Sequence, residues 1–204
     1  NSRAFSSVPA VRGKEITRPY SELVSEVEQL ALTGVTEITL LGQNVNSYGR
    51  DLTLKLRGAE LTPESSQLVG DKWVEGPHTA RPLFSDLLCS VAAVSGIRRV
   101  RYTSPHPKDF RPETITAMAQ IPEVCEHLHL PLQSGSDKIL SAMHRGYTAD
   151  RYIQKVTAAR DEIPDLALST DIIVGFPGET DLDFERTLEV AAEVKFDNAY
   201  TFVY

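Results

Sequence analysis

Apolar residues alternate along this chain between helical spacing and short β-branched runs. Tyr20, Leu23, Val24, Val27, Leu30 and Ala31 recur three and four apart, with Pro19 in the first turn and Gly34 as the stop. The run Glu37-Ile38-Thr39-Leu40-Leu41 reads as a strand that ends at Gly42-Gln43-Asn44. A second helix carries Leu83, Leu87, Leu88, Val91 and Val94 and closes at Gly96; a strand over 97–102 follows and ends at Ser104-Pro105-His106-Pro107. Pro112 opens a short helix with Ile115, Met118 and Ala119, and the strand His127-Leu128-His129-Leu130 runs into Pro131-Leu132-Gln133-Ser134-Gly135-Ser136. One helix ends near Gly146 and another starts at a Thr148 cap. Residues 166–174 form an apolar strand, Gly175-Phe176-Pro177-Gly178-Glu179 a turn, and Thr180 with Asp183 a capping box for a helix through Val194. Asn198 to Tyr204 is the last strand. Strands alternating with helices predict a parallel α/β architecture, five strands here with room for a sixth before Asn1. Residues 50–82 are the exception. They are polar, show no clear period, contain the only Trp, Trp73, and read as a surface insertion.

The totals narrow the function classes. The 204 residues are 41% hydrophobic and 24% charged, enough for one globular domain with a core. The formal net charge of −7 argues against this chain gripping nucleic acid by itself, because phosphate contacts need a Lys/Arg surface. No apolar run is long enough to cross a bilayer, and no signal-peptide pattern opens the chain. The two cysteines, Cys89 and Cys125, suggest no disulfide framework, so a cytoplasmic setting is expected. The opening at Asn1 and the abrupt end in a strand suggest a piece of a longer protein.

Four successive strand ends carry Gly, Pro and polar residues, which in a barrel of βα units is where a site lies. Each cluster alone reads as a turn; four on one face indicate a site without naming a reaction. His127 and His129 alternate on a strand and point to the same face, but no third metal ligand is evident. The Gly175–Glu179 turn lacks the Lys-Ser/Thr ending of a P-loop.

Four blocks resemble MiaB-type tRNA methylthiotransferases of the radical-SAM class. They are residues 40–48 (Leu-Leu-Gly-Gln-Asn-Val-Asn-Ser-Tyr), 129–137 with 143–148, 170–180, and Ser104-Pro105-His106-Pro107. The resemblance covers nearly the whole chain except 50–82. It implies a partial (β/α)6 radical-SAM half-barrel whose first strand is missing, and S-adenosyl-L-methionine (SAM) and a 4Fe–4S cluster as cofactors. It also implies methylthiolation of isopentenylated adenosine beside the tRNA anticodon, and an electron donor such as flavodoxin or ferredoxin. The family carries an N-terminal methylthiotransferase domain and a C-terminal RNA-binding TRAM domain, neither of which is expected in this chain. The Gly42-Gln43-Asn44 and Gln133-Ser134-Gly135-Ser136 blocks favour the tRNA branch over the ribosomal-protein branch.

By position, the resemblance places Phe5 against the SAM adenine and Gly42, Gln43 and Asn44 at its methionine end. Ser104, Gln133 and Asp171 fall on the ribose and substrate side, Ser134 is a further cofactor-binding position, and Gly175 to Glu179 fall over the adenine. The cluster loop C-x-x-x-C-x-x-C is where the chain departs. Ala4, Phe5, Val8 and Gly13 fit its frame, but Arg3 and Ser6 stand at the second and third cysteine positions and the first would precede Asn1. Arg is a cation that ligates nothing, and a Ser hydroxyl is a poor replacement for thiolate. The expectation is therefore a chain that assembles no cluster and is inactive as written. The alternative of another class is a catalytically silent module that binds SAM or tRNA.

Overall fold

The computed structural model describes residues 16–204. They divide into two compact units, Ile16–Ser104 with Arg111–Cys125, and Pro105–Phe110 with Glu126–Tyr204. In both, every strand pairing is parallel and helices follow strands, the α/β pattern that the alternation predicts.

The first unit runs α1 (Tyr20–Leu32), β1 (Glu37–Leu40), α2 (Arg50–Leu56), α3 (Pro63–Val69), α4 (Asp71–Glu75), α5 (Phe84–Ala92), β2 (Arg99–Tyr102) and α6 (Pro112–Gln120). Strand β1 pairs with β2 from Glu37↔Arg99 to Leu40↔Tyr102. Along β2 the side chains alternate, Val100 and Tyr102 buried and Arg99 and Arg101 exposed, as a strand with one covered face requires. Tyr102 stacks edge-on to Phe84 at 5.0 Å and donates its hydroxyl to the Met118 sulfur at 2.9 Å. Burial pushes its phenol pKa up. On the exposed face Glu37 accepts from both Arg99 and Arg101, which holds its carboxyl below the usual range.

Residues 50–82 differ from the aperiodic surface insertion the sequence suggests. They form α2, α3 and α4, each too short to display a helical period. Helix α3 is opened by Pro63 and a reciprocal Thr62–Ser65 capping box. Trp73 is 1% exposed and donates its indole N–H to the Thr79 carbonyl at 3.1 Å; Leu52 and Val69 are buried as well. Gly70 is at φ +81°, and a Cβ there would stand 3.0 Å from the Tyr20 ring, so this turn favours glycine. Helix α3 packs on α1 and a few side chains of the segment enter the core, while most of its residues stay exposed.

The second unit contains β3 (His127–His129), α7 (Asp137–Ala142), α8 (Ala149–Glu162), β4 (Ala167–Val174), α9 (Asp181–Val194) and β5 (Asn198–Val203), with strand order β3-β4-β5. The caps read from sequence are in place: Thr148 accepts from the Arg151 N–H, and Thr180 and Asp183 form a reciprocal box. Leu128, Leu130, Leu132, Leu140, Met143, Tyr152, Leu168 and Val190 make the core, all fully buried. Gly135 is pressed against α9. A Cβ there would stand 2.6 Å from the Arg186 carbonyl oxygen and 2.6 Å from the Thr187 Cα.

Candidate functional site

The end of β3 is built around one extra residue. His129 pairs with Ser169, but the next bridge joins Gln133 to Ile172, so four steps on one strand face three on the other. This is a β-bulge, and Pro131, which has no N–H for the ladder, lies inside it. Its backbone groups are satisfied by side chains from elsewhere. The Leu132 N–H donates to Thr170 Oγ1 at 2.8 Å, and Thr170 donates to the Leu130 carbonyl at 3.0 Å. Tyr152 also donates to Leu130 O at 2.7 Å, while Tyr147 donates to the Pro131 and Leu132 carbonyls at 3.1 and 3.0 Å. Beyond the bulge Gln133 rejoins the ladder, donating to Asp171 O and accepting from Ile173 N–H, each at 2.8 Å. It does so at φ +68°, a left-handed conformation held by its surroundings at about 1–3 kcal/mol.

The residues that follow are packing elements. Ser134 is fully buried with its hydroxyl 3.3 Å from Thr187 Oγ1, and the Gly135 N–H donates to the same oxygen at 2.9 Å. Ser136 caps α7 and donates to Asp183 Oδ1 at 2.6 Å; Asp183 Oδ2 accepts from Lys138 at 2.8 Å and from the Thr180 hydroxyl at 2.7 Å. Lys138 first, then Ser136 and Thr180, hold the Asp183 carboxyl far below the usual carboxylate range. At the end of β4 the turn uses Gly175 at φ +80° and Gly178 at φ +86°. Glu179 Oε2 accepts from the Gly175 N–H, whereas Glu179 Oε1 is buried with no hydrogen-bond partner among the described residues. Such an orphaned acceptor fits a ligand that brings a donor.

Asp171 lies on the other face of β4, its Oδ2 3.4 Å from His129 Nε2. His129 Nδ1 is 2.9 Å from Ser169 Oγ, and its ring meets Tyr200 edge-on at 6.1 Å. So His127 and His129 do share a face, as alternation predicts, and their neighbours there are a hydroxyl and a carboxylate.

Gly42, Gln43, Asn44 and Ser104 belong to the first unit. Gly42 is exposed, Gln43 and Asn44 are half-buried, and the Asn44 carbonyl accepts from the Ser47 N–H and hydroxyl to start a tight turn at the end of β1. Ser104, at the end of β2, is exposed with φ +59°. Two strand ends thus place a non-glycine residue in the left-handed region, which no residue type in the sequence announces. Phe5, Arg3 and Ser6 lie outside the described residues. Sequence reasoning missed Thr170, Tyr147 and Tyr152, which shape the bulge from distant positions; only the Pro inside a strand hinted at it.

A family model described as the Radical SAM superfamily matches residues 4–191. The chain belongs to the radical SAM superfamily. All 204 residues of this radical SAM chain align at 46% identity with a tRNA-2-methylthio-N(6)-dimethylallyladenosine synthase of Moorella thermoacetica, covering 40% of that protein. Similar matches are to the synthases of Mycobacterium sp. (strain JLS), at 46% and 37% of its length, and Caldicellulosiruptor saccharolyticus, at 47% and 38%. The chain therefore spans about two fifths of the curated relatives it matches.

The superfamily implies SAM and a 4Fe–4S cluster. Among the described residues no group of three His, Cys, Asp or Glu side chains is arranged to hold a metal ion. The thiol of Cys89 is pushed up by burial, away from the thiolate a cluster needs. Arg3 and Ser6, which the resemblance sets at two cysteine positions of the cluster loop, lie outside the described residues. No helix among the described residues is long and apolar enough to cross a membrane.

Proposed function

We propose that the whole protein methylthiolates isopentenylated adenosine beside the tRNA anticodon by radical SAM chemistry, and that this chain as written does not support the reaction. The observation that carries the first half is identity of 46% over every residue of the chain to synthases that bear that name. The five parallel strands are, on this reading, successive strands of a radical-SAM half-barrel. In the first unit Gly42, Gln43, Asn44 and Ser104, and in the second Gln133, Ser134 and Asp171 with the turn from Gly175 to Glu179, are the residues this reading assigns to SAM and substrate. Gln133 and Ser134 act there through the backbone they fix, since Ser134 is fully buried. When bound, the cluster supplies the electron that cleaves SAM, and flavodoxin or ferredoxin is the donor class that feeds it. tRNA is the macromolecular partner, gripped by a basic domain outside this acidic segment.

The second half rests on Arg3 and Ser6. Anaerobic iron–sulfur reconstitution of the chain, beside a version carrying Arg3→Cys, Ser6→Cys and the upstream signature cysteine, tests both halves. The expected result is about four irons per protein in the restored version alone. Uptake by the unaltered chain refutes the ligand assignment. Failure of both leaves a silent SAM- or tRNA-binding module, the reading that Arg3 and Ser6 would favour.

A further inference from the structure

Strand β5 and the residue after it display three aromatic rings on one face of their sheet. Tyr200, Phe202 and Tyr204 recur at every second position and so point to the same side, where they are 53%, 53% and 58% exposed. Every other Phe, Tyr and Trp among the described residues is buried or half-buried. Rings are costly to leave in water, and a contiguous exposed row of them marks a surface that something covers. The two outer rings are held in place. Tyr200 meets His129 edge-on at 6.1 Å and Tyr204 meets Phe176 edge-on at 5.0 Å. Among the described residues Phe202, between them, meets no other ring.

The register continues this row into the strand-end site. Asp171 pairs with Tyr200, Ile173 pairs with Phe202, and the Tyr204 N–H donates to the Val174 carbonyl at 2.9 Å. The face therefore has two halves. Toward β3 it is polar, with His129, Ser169 and Asp171; toward β5 it is aromatic, and Ile173, half-buried against Phe176, joins that half. Such a face suits a ligand with a polar body and an apolar branch. The nucleoside of the proposed function has that form, since its purine and ribose are polar while its isopentenyl group has no donor or acceptor and gains only by leaving water. Side chains two apart on a strand stand about 6.6 Å apart, room for one branched chain among the rings. We infer that Phe202, flanked by Tyr200 and Tyr204, receives the isopentenyl group and sets the preference for prenylated over plain adenosine. The inference rests on the methylthiotransferase reading, but all three rings lie outside the sequence blocks that carry the resemblance.

The test titrates N6-isopentenyladenosine against adenosine by NMR on the full chain. The unaltered chain is expected to prefer the prenylated nucleoside about fifteenfold, the value of roughly two carbons removed from water at about fourfold each. Phe202→Leu keeps an apolar side chain and should hold that ratio within about twofold. Phe202→Thr, well suited to an exposed strand, should lower it about fourfold. Val203→Thr alters the opposite face of the same strand, at a residue 90% exposed, and should leave the ratio unchanged. The affinity for adenosine itself should stay constant across the variants, which a merely loosened strand would not give. Intermolecular NOEs should join the prenyl methyls to the Phe202 ring protons. Equal affinity for the two nucleosides, binding of neither, or a ratio that Phe202→Thr leaves unmoved overturns the inference. A chain that sediments as a dimer and becomes monomeric with Phe202→Thr assigns the rings to a second copy and overturns it as well. Each of these results leaves the family reading standing, which falls instead if the cysteine-restored protein takes up no cluster.

Discussion

Three hydroxyls hold the bulge at the end of β3, and their removal should cost stability in a fixed order. Thr170→Val is nearly isosteric and leaves the Leu132 N–H without a partner, because Thr170 Oγ1 is its acceptor and Leu132 is fully buried. A buried donor left unmade costs about 1–3 kcal/mol, and full burial puts this one at about 2. Tyr147→Phe strips the Pro131 and Leu132 carbonyls, but Leu132 O keeps the Ser134 N–H at 2.9 Å and Pro131 is half-buried. Its cost should be about 1 kcal/mol. Tyr152→Phe leaves Leu130 O still bonded to Thr170 at 3.0 Å, so about 0.5 kcal/mol is expected. The double variant Thr170→Val with Tyr152→Phe removes both donors to Leu130 O and should exceed the sum of the singles by about 1 kcal/mol. Urea unfolding of the full chain by far-UV circular dichroism measures these as midpoint shifts at constant slope. Fluorescence of Trp73, the only tryptophan, reports the other unit and serves as a control. A Tyr152→Phe cost equal to that of Thr170→Val, or strict additivity in the double variant, would refute the partner assignment.

Gly135→Ala forces a Cβ to within 2.6 Å of α9 backbone, so a loss of about 2–3 kcal/mol or outright misfolding is expected, read as a midpoint drop in the same denaturation. Lys195 ends α9 exposed at φ +54°, and Lys195→Gly should raise stability by about 0.5–1 kcal/mol, or roughly 2–4 °C in Tm, since the Arg160 contacts there are to backbone. Asp183 is held below its ordinary pKa by Lys138, Ser136 and Thr180, so its contribution is present above about pH 4 and is lost as pH falls from there toward the depressed folded value. Asp183→Asn should flatten the acid limb of the stability profile; an unchanged limb in acid titration would remove Asp183 as its source.

The parts of the fold that local chemistry dictates were legible. Thr148, Thr180 with Asp183, and Gly34 sit at the helix ends they mark, because caps satisfy orphan backbone groups within a few residues of themselves. The strands were legible because alternation survives wherever one face is covered, as in β2. Residues 50–82 were not, since helices of five to seven residues complete too few turns to show a stripe, and Trp73 is buried where its indole N–H meets the Thr79 carbonyl. The bulge illustrates the same limit at the site. Pro131 shows that the ladder must break, but whether the strand resumes, and with which register, depends on Tyr147, Tyr152 and Thr170 arriving from α8, its preceding loop and β4. That one-residue slip is what returns Gln133 to the ladder in a left-handed conformation and leaves His129 on the face of Ser169 and Asp171. In an unbulged strand Gln133 would share a face with His129, by the two-residue period; the inserted residue separates them. The motif was therefore readable as a resemblance, while the division of labour inside it, Ser134 and Gly135 packing against α9 and His129 holding a carboxylate, is written in tertiary contacts.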